Sequence, residues 1–553
     1  MALYGVDLGT TFCSAAYVDR GNAVVVPLEQ GRATLASLVL LTSRGEARAV
    51  VGAEAPRRYR ELVGDAERPP PDVVLVRGSK NHMGAAAPSL LGPPWALAGH
   101  ELQATDVAAV ILRALADLVR SRPGLPPLDG VVVTHPQRFR NREKLATAQA
   151  AKMAGLPVAG LLTEPDAAAW AYGLHAARAG DEGRGGSFMV FDFGGGTLDV
   201  TLMRRDAARG GRAQLHAVDS YGIQLGGLAI DARIRDALVA QYAEKTGDKG
   251  FTLAAVNEAT AERLLELAEW FKVALNTDAA SDPSPMARSR RKRFVPVFDA
   301  ESEGEEVSLE VTLGDLSRWI AGELDRAMAC ADEALKRAGL DWGALDEVLL
   351  TGGSSLLYPL QQRMRERCRS VRVYDDPLHP LNPLTIVAAG AALHGASLGG
   401  AGERPAVEVR GVVPDTFSIR AFVPDASQPE GRRAVLHPLV PAGTPTPFVG
   451  RAHFAMRGGG RVLPVEVFEG RSEREATRVG VYQIAFDADL PDGARVEVRL
   501  DVRANGALVL GVQDVRTGAT REARLDEAPG LYADDELARR ARWLQGLRVE
   551  TSG

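Results

Sequence analysis

Residues 188–201 read FMVFDFGGGTLDVT and contain three consecutive glycines between acidic residues. The residues able to do chemistry in this stretch are Asp192, Gly194, Gly195, Gly196, Thr197 and Asp199. Because β-forming residues flank the glycines, the stretch is predicted to form a hairpin whose turn carries no side chains. Backbone N–H groups in such a turn form an anion-binding nest, and glycine lets a polyphosphate approach closely. Two carboxylates beside a phosphate require a divalent cation, and Mg²⁺ is the natural candidate because it is usually held by few carboxylates through retained waters.

The same pattern occurs at the start of the chain. Residues 3–18 read LYGVDLGTTFCSAAYV, and the matching positions are Asp7, Gly9, Thr10 and Thr11. Each copy alone could be an ordinary glycine-rich hairpin with capping acids. Two copies about a lobe apart predict a duplicated architecture in which two lobes clamp one nucleotide.

The two motifs resemble phosphate segments one and two of the actin-like ATPases, and their surroundings resemble the 70-kDa heat-shock chaperones of the DnaK type. The resemblance covers residues 3 to about 398 well and residues 411 to about 532 more weakly. It implies an α/β fold class, with an actin-like two-lobed ATPase domain followed by an all-β sandwich domain. The implied divisions are a nucleotide-binding domain (1–398), an interdomain linker (399–411), a peptide-binding-like sandwich (412–532) and a short C-terminal helix without the family's full helical lid (533–553).

Length and composition fit such a protein and limit the alternatives. A chain of 553 residues is too long for one hydrophobic core, so two or more domains are expected. The net charge of −6 argues against non-specific nucleic-acid binding. The sequence contains no run of about 18 apolar residues, so no membrane span is predicted. The first strand begins too early for a signal peptide to precede it. Three scattered cysteines without metal spacing are typical of a reducing compartment, so a cytoplasmic protein is expected. From its net charge and the lack of long apolar runs, it is expected to have neither nucleic-acid nor membrane partners.

The resemblance also implies roles for residues outside the first two glycine motifs. Lys80 matches the family lysine that lies beside the γ-phosphate and orients the attacking water. Glu164 matches the glutamate that faces the water shell of the metal. Together with Thr197 and Asp199 these two residues form the expected catalytic set, while Asp7 and Asp192 are expected to hold Mg²⁺. By its local sequence alone, Lys80 could equally be a solvated surface residue.

Three further segments are implied to bind ATP or ADP. Their residues are Gly226, Gly227, Glu269, Lys272, Asn276, Gly352, Gly353, Ser354 and Leu356. Glu269 and Lys272 share one helix face, although an exposed ion pair would look the same. Leu228 and Ala229 replace an acidic pair of the family. Leu356 stands where the family has an arginine that stacks on adenine, a contact that contributes roughly 0.5–2 kcal/mol, so adenine recognition is expected to be weaker than phosphate binding.

The second half of the chain departs more from the family. Residues 399–410 read GGAGERPAVEVR, where the family has a strongly apolar linker, so weaker or different coupling between domains is expected. Residues 278–306 contain a basic and an acidic cluster, which favour a solvated surface loop over a nucleic-acid patch. After Val412, short strands and turns, including Ala504-Asn505-Gly506, predict a β-sandwich. Four apolar strand residues are candidates for lining a groove that binds an extended peptide: Phe417, Ile419, Leu463 and Val465. For each of them, a place in the sandwich core is the alternative.

The implied function is that of an ATP-dependent molecular chaperone. Slow ATP hydrolysis with Mg²⁺, and by family resemblance K⁺, would be coupled to binding of unfolded or extended polypeptide. A J-domain co-chaperone and a nucleotide exchange factor are the further expected partners. One alternative is a weakly hydrolysing regulatory or adaptor protein with a single dedicated protein partner. A small-molecule kinase on the same clamp is a second alternative, but it leaves the sandwich unexplained.

Overall fold

The computed structural model describes residues 2–44, 47–64, 66, 69–84, 95–97, 100–178, 185–209, 212–281, 289, 291–294, 308–374, 376–398, 407–429, 431–503, 506–525 and 531–551. Most of the predicted loop at 278–306, linker residues 399–406 and turn residues 504 and 505 lie outside this range. Among the described helices, none is both long and apolar enough to cross a membrane.

The first part of the chain forms a lobe built on a mixed sheet. Its strands are β1 (Leu3–Asp7), β2 (Phe12–Asp19), β3 (Asn22–Val25), β4 (Thr34–Ala36), β5 (Leu38–Thr42), β6 (Arg48–Val51), β7 (Val73–Arg77), β8 (Trp95–Leu97), β9 (His100–Leu102), β10 (Gly130–His135) and β11 (Val158–Thr163). Its helices are α1 (Ala55–Val63), α2 (Ala104–Ser121), α3 (Asn141–Met153) and α4 (Glu164–Arg178). The sheet order is β11-β10-β1-β2-β3, in which β11, β10 and β1 are parallel and β2 and β3 antiparallel. Strand β10 is buried at every residue and apolar as far as Val133, as expected for a strand covered on both faces.

The second lobe repeats this plan. Its strands are β12 (Gly186–Phe193), β13 (Leu198–Arg209), β14 (Arg212–Ile223), β15 (Arg291–Phe294), β16 (Leu309–Thr312), β17 (Glu347–Thr351) and β18 (Val371–Arg372). Its helices are α5 (Gly227–Thr246), α6 (Glu258–Ser281), α7 (Leu313–Trp319), α8 (Ala321–Arg337) and α9 (Tyr358–Arg367), whereas the following helix α10 (Ile386–Leu398) packs on the first-lobe strands β1, β2 and β10. The sheet order is β18-β17-β12-β13-β14, again with three parallel strands followed by two antiparallel ones. This repeat confirms the two-lobed fold.

Helices α4 and α10 pack against each other between the lobes. Their small side chains join one apolar core with residues from β2, β10, β12 and β17. The closest approach occurs at Gly390, where an added Cβ would lie 1.6 Å from the backbone oxygen of Ala167. The sequence therefore uses alanine and glycine in these helices to bring two backbones together.

The remaining strands form the predicted β-sandwich and two additions to the lobes. The elements are β19 (Val407–Arg410), β20 (Thr416–Pro424), β21 (Arg432–Val440), β22 (Phe448–Ala455), β23 (Gly460–Gly470), β24 (Thr477–Leu490), β25 (Arg495–Val502), β26 (Leu508–Asp514), β27 (Thr520–Arg524), α11 (Asp534–Gly546) and β28 (Arg548–Thr551). The two sandwich sheets have the orders β21-β20-β23-β24 and β22-β25-β26-β27, and their inward residues share one core.

The predicted short C-terminal helix is followed by a strand, and both elements pack on the first lobe. Helix α11 packs against α2 and α3, and β28 adds to the first lobe as a parallel neighbour of β6 in the sheet β28-β6-β5-β7. The physical reason is apolar burial, because Leu537, Leu544 and Leu547 enter the same core as β1 and α2.

Candidate nucleotide-binding and catalytic site

The two glycine motifs face each other across the cleft between the lobes. A Cβ added at Gly195 would lie 1.9 Å from Thr11 Oγ1, so the central turn and the N-terminal turn are in direct contact. The predicted glycine pair Gly226 and Gly227 lies against the central turn, because Gly227 N–H donates to the Gly194 oxygen at 3.0 Å. The structure thus brings together three backbone segments that are distant in sequence and lack side-chain bulk.

The predicted acidic residues and Lys80 converge beside these turns. Asp192 lies opposite Asp199 in the β12–β13 pair, and both are buried, as are Lys80 and Glu164. Lys80 donates to Glu164 in an ion pair. Asp7 accepts a hydrogen bond of 3.1 Å from the Thr134 hydroxyl. The predicted catalytic and metal-binding residues therefore form one cluster.

The pKa values of three aspartates in this cluster are raised, because too little positive charge lies nearby to offset their loss of hydration. Burial raises the pKa of Asp7 to about 7, although Lys80 partly opposes the rise. Burial, followed by repulsion from Glu164, also raises the pKa of Asp199 to about 7 and that of Asp192 well above its usual value. For Lys80, burial alone would lower the pKa, but Glu164 and Asp7 outweigh it and the pKa rises.

These residues fit a divalent cation that arrives with a nucleotide. One carboxylate oxygen of Asp199 is buried and has no hydrogen-bond partner among the described residues. Within the same part of the chain, no group of three or more His, Cys, Asp or Glu residues is arranged to hold a metal. This combination fits Mg²⁺, which is bound through few carboxylates, retained waters and substrate phosphates and not by an all-protein cage.

The residues predicted to contact the nucleoside lie on the second-lobe side of the site. The Ser354 hydroxyl donates to the Gly194 oxygen at 2.8 Å, and a Cβ on Gly227 would lie 2.9 Å from that hydroxyl and 3.5 Å from Lys272 Nζ. Gly352 has φ +78° and its added Cβ would lie 2.5 Å from the Phe193 oxygen, so this position requires glycine. Gly353 and Leu356 are the ends of the short 3₁₀ turn that carries Ser354.

Two of the predicted nucleoside contacts are engaged within the protein. Lys272 donates to Asp231 at 2.8 Å, a buried partner that the sequence analysis missed. Asn276 accepts from Tyr358 N–H at 2.6 Å at the start of α9, and its amide donates to the Lys272 oxygen. In this conformation Asn276 is therefore a helix-capping residue, whereas Glu269 on the same face is half-buried.

Contacts between the lobes include residues that sequence reasoning did not assign. Leu228, which replaces a family acid, approaches Gly78 just before Lys80: a Cβ on Gly78 would lie 2.7 Å from the leucine side chain. A Cβ on Gly196 would lie 1.9 Å from the side-chain oxygen of Asn81. Farther out, Arg77 pairs with Glu262 across the cleft. No local pattern identifies these pairs, because their members are far apart in sequence.

Residues 407–410, in the described part of the linker, dock on the second lobe despite their charged residues. Strand β19 pairs in parallel with β14, extending the sheet of the second lobe. Val407 is buried and Val409 packs against the same core, whereas Arg410 is exposed. The alternation of apolar and charged residues is thus the pattern of a strand with one buried face, so the charge does not prevent docking.

The sandwich contacts the first lobe at the start of helix α3. Asn141 N–H donates to a Glu469 carboxylate oxygen at 2.8 Å, and Gln137 donates to the Val412 oxygen at 3.1 Å. Arg140 pairs with Asp415 at 3.2 Å. Glu469 is 1% exposed, and its burial raises its pKa to about 7, although Lys144 and the Asn141 N–H oppose the rise.

The contact at Glu469 is expected to weaken as pH rises. The docked state favours the protonated acid, since its pKa is above the unfolded value of about 4.3. Its stabilising contribution is therefore complete near pH 4 and is lost as pH rises through 7. Hydrogen exchange of β23 and α3 between pH 4.5 and 8, corrected for the intrinsic pH dependence of amide exchange, measures this change, and Glu469→Gln should reduce the pH dependence. An unchanged pH dependence in Glu469→Gln would contradict it.

The four candidate peptide-binding residues lie within the sandwich. Phe417, Ile419 and Val465 are buried in the core between the sheets, and Leu463 packs partly buried against it. In this conformation they are core residues, which was the stated alternative. A peptide would reach them only if the sandwich opened.

Comparison with known proteins agrees with the fold. The family model described as Hsp70 protein matches residues 94–543. The chaperone protein dnaK3 of Synechococcus elongatus is 29% identical over 556 residues, which cover 96% of this chain and 67% of that protein. The chaperone protein DnaK of Trichormus variabilis is 28% identical over 585 residues, which cover 99% and 77% respectively. The chain belongs to the Hsp70 family.

Proposed function

We propose that this Hsp70-type chaperone binds ATP between its lobes and hydrolyses it slowly, and that the sandwich uses the resulting lobe movement to bind and release polypeptide. The observation that carries the proposal is the contact between two glycine-containing turns, at residues 9–11 and 194–197, beside a cluster of four carboxylates and one lysine, in which Asp7 is half-buried and the other four groups are buried. Such turns suit phosphate, and the buried charges suit charge stabilisation in a water-poor site.

The proposed roles follow from the groups that each residue presents. The Gly9, Thr10, Thr11 turn and the Gly194, Gly195, Gly196, Thr197 turn would bind phosphates through backbone N–H groups. Lys80 and Thr197 would orient the attacking water, and Asp199, whose pKa is raised to about 7, would accept its proton. Glu164 would keep Lys80 charged and positioned. Gly226, Gly227, Ser354 and Lys272 would lie along the adenosine.

The proposed cofactor is Mg²⁺, held by Asp7 and Asp192 and, through water, by Glu164. When bound it supplies positive charge that stabilises negative charge on the transferring phosphoryl group. K⁺ is proposed as an additional ion on family resemblance alone. The division into residues 1–398, 399–411 and 412–532 also remains a proposal.

The proposed partners are unfolded or extended polypeptides, with a J-domain co-chaperone and an exchange factor. Docking of β19 on the second lobe and of Glu469 on the first supports coupling, because the linker touches one part of the clamp and the sandwich touches the other. The three cysteines are buried and free, which suits the proposed cytoplasmic location.

Single-turnover hydrolysis of ATP by wild type and Lys80→Ala tests this function. We expect the variant to bind ATP but to hydrolyse it about 10²–10³-fold more slowly, the loss typical of removing one transition-state contact. Lys336→Ala, at an exposed helix end, is the matched control and should hydrolyse at the wild-type rate. An added unfolded peptide should accelerate hydrolysis by wild type. Phosphate transfer to a sugar, or no turnover by wild type, would contradict the proposal.

A further inference from the structure

The C-terminal strap, defined as residues 531–551, is built into the first lobe. Strand β28 pairs with β6 from Arg548 opposite Arg48 to Thr551 opposite Val51. Four large side chains of the strap are almost completely buried in the lobe core: Tyr532, Leu537, Leu544 and Leu547. A contact that formed and broke in each nucleotide cycle would not be expected to extend the β6 sheet and also to fill the core of the first lobe.

A single buried carboxylate joins the strap to helix α2. Asp106 accepts hydrogen bonds of 2.7 Å from the Tyr532 hydroxyl and from Arg540. The same carboxylate accepts from Gln103 N–H at 2.8 Å and so also caps the start of α2. Gln149 on α3 exchanges two hydrogen bonds with the Tyr532 backbone. The strap thus connects the edge sheet of the lobe to both helices.

The chain between the sandwich and the strap is short. Leu525 is buried at the end of the sandwich, and its oxygen accepts from Asn141 of the first lobe at 3.3 Å. From Leu525 to Leu531 there are six Cα steps, which span at most about 22 Å when fully extended. The sandwich has about the size of a 100-residue domain, and twice the typical radius of gyration of such a domain is about 26 Å. The connecting chain is therefore shorter than the sandwich is wide. While the strap is bound, the sandwich cannot move away from the first lobe by its own width.

We propose that the C-terminal strap stays bound to the first lobe throughout the nucleotide cycle and limits the sandwich to small movements on that lobe. Nucleotide would then act on the sandwich through rotation of the lobes at β19 and Glu469, without detachment of the sandwich. The strap serves as a second, C-terminal tether in addition to the linker. This inference uses the proposed function only for the existence of a nucleotide cycle.

A disulfide between β6 and β28 tests the proposal in the full chain. Arg48 and Arg548 are paired, partly exposed residues. Neighbouring strands lie about 4.8 Å apart, within the usual Cα separation of disulfides. In Arg48→Cys/Arg548→Cys, the oxidised and reduced forms should show ATP hydrolysis and peptide dissociation rates within twofold of each other. Arg548→Cys under the same oxidising conditions is the control. A tenfold or larger loss of ATP-dependent peptide release on oxidation would overturn the proposal.

A second readout does not depend on hydrolysis. Hydrogen exchange of residues 548–551 in the wild-type chain should be equally slow without nucleotide, with ADP and with ATP. Faster exchange by tenfold or more in any of these states would show that the strap detaches and would overturn the proposal. If wild type does not turn over ATP, the proposed function fails, whereas unchanged slow exchange would still support the strap.

Discussion

Gly226→Ala is expected to weaken ATP binding by at least about 100-fold, because nothing near this glycine can move away from an added methyl group. A Cβ there would lie 2.4 Å from the carbonyl carbon and oxygen of Gly195 and from the nitrogen of Gly196. All three are backbone atoms of the proposed phosphate-binding turn. The backbone at Gly226 is extended, with φ −164°, so the expected defect comes from the collision and not from backbone strain. Calorimetric titration with ATP and Mg²⁺ measures the loss.

The control for this variant is Gly322→Ala in helix α8. An added Cβ there has no heavy atom within 4 Å, and alanine favours a helix over glycine. Gly322→Ala should therefore bind ATP as wild type does. Binding of ATP by Gly226→Ala within threefold of wild type would show that this glycine pair does not shape the nucleotide site.

Gly390→Ala is expected to destabilise the ATPase lobes by about 3 kcal/mol or more, the upper end of the usual cost of overpacking. The added Cβ would lie 1.6 Å from the Ala167 oxygen and 2.4 Å from its carbonyl carbon, so α10 and α4 would have to separate. These helices fill the space between the two sheets, and their displacement would disturb both lobes. Thermal and urea unfolding followed by tryptophan fluorescence measure the change, with Trp170 on α4 as a local reporter.

Gly395→Ala, on the same helix, is the matched comparison. Its Cβ would lie 3.2 Å and 3.3 Å from side-chain atoms of Val132 and Leu3, which can shift slightly. We expect it to cost about 1 kcal/mol or less, since the helix propensity of alanine offsets part of the crowding. Equal losses in the two variants would contradict the explanation from backbone contact.

The parts of the fold that the sequence predicts are those encoded by local patterns. The glycine motif near Gly9 and its repeat at Gly195 predict two equivalent lobes, and the two sheets have the same strand order. The short strands after Val412 predict the sandwich because their turns and alternation are local. Lys80 could be placed only by family resemblance, since a lone lysine has no distinguishing local pattern.

The parts that the sequence analysis did not predict depend on contacts between distant segments. The C-terminal strap joins β6 across almost the whole chain length, and a four-residue strand such as β28 gives little periodic pattern. The family resemblance assigns Asn276 to the nucleotide, but in this conformation the start of α9 supplies its partner. The charge of the linker predicts weaker or different coupling between the domains, but it does not predict the docking of β19, because the position of β14 determines that Val407 faces a core.

A crystal structure of Lys80→Ala with ATP and Mg²⁺ tests the central claim most directly. The variant should hold unhydrolysed nucleotide, with the triphosphate between the turns at residues 9–11 and 194–197 and the metal beside Asp7 and Asp192. A triphosphate bound elsewhere, or a cleft without nucleotide at saturating ATP, would contradict the account.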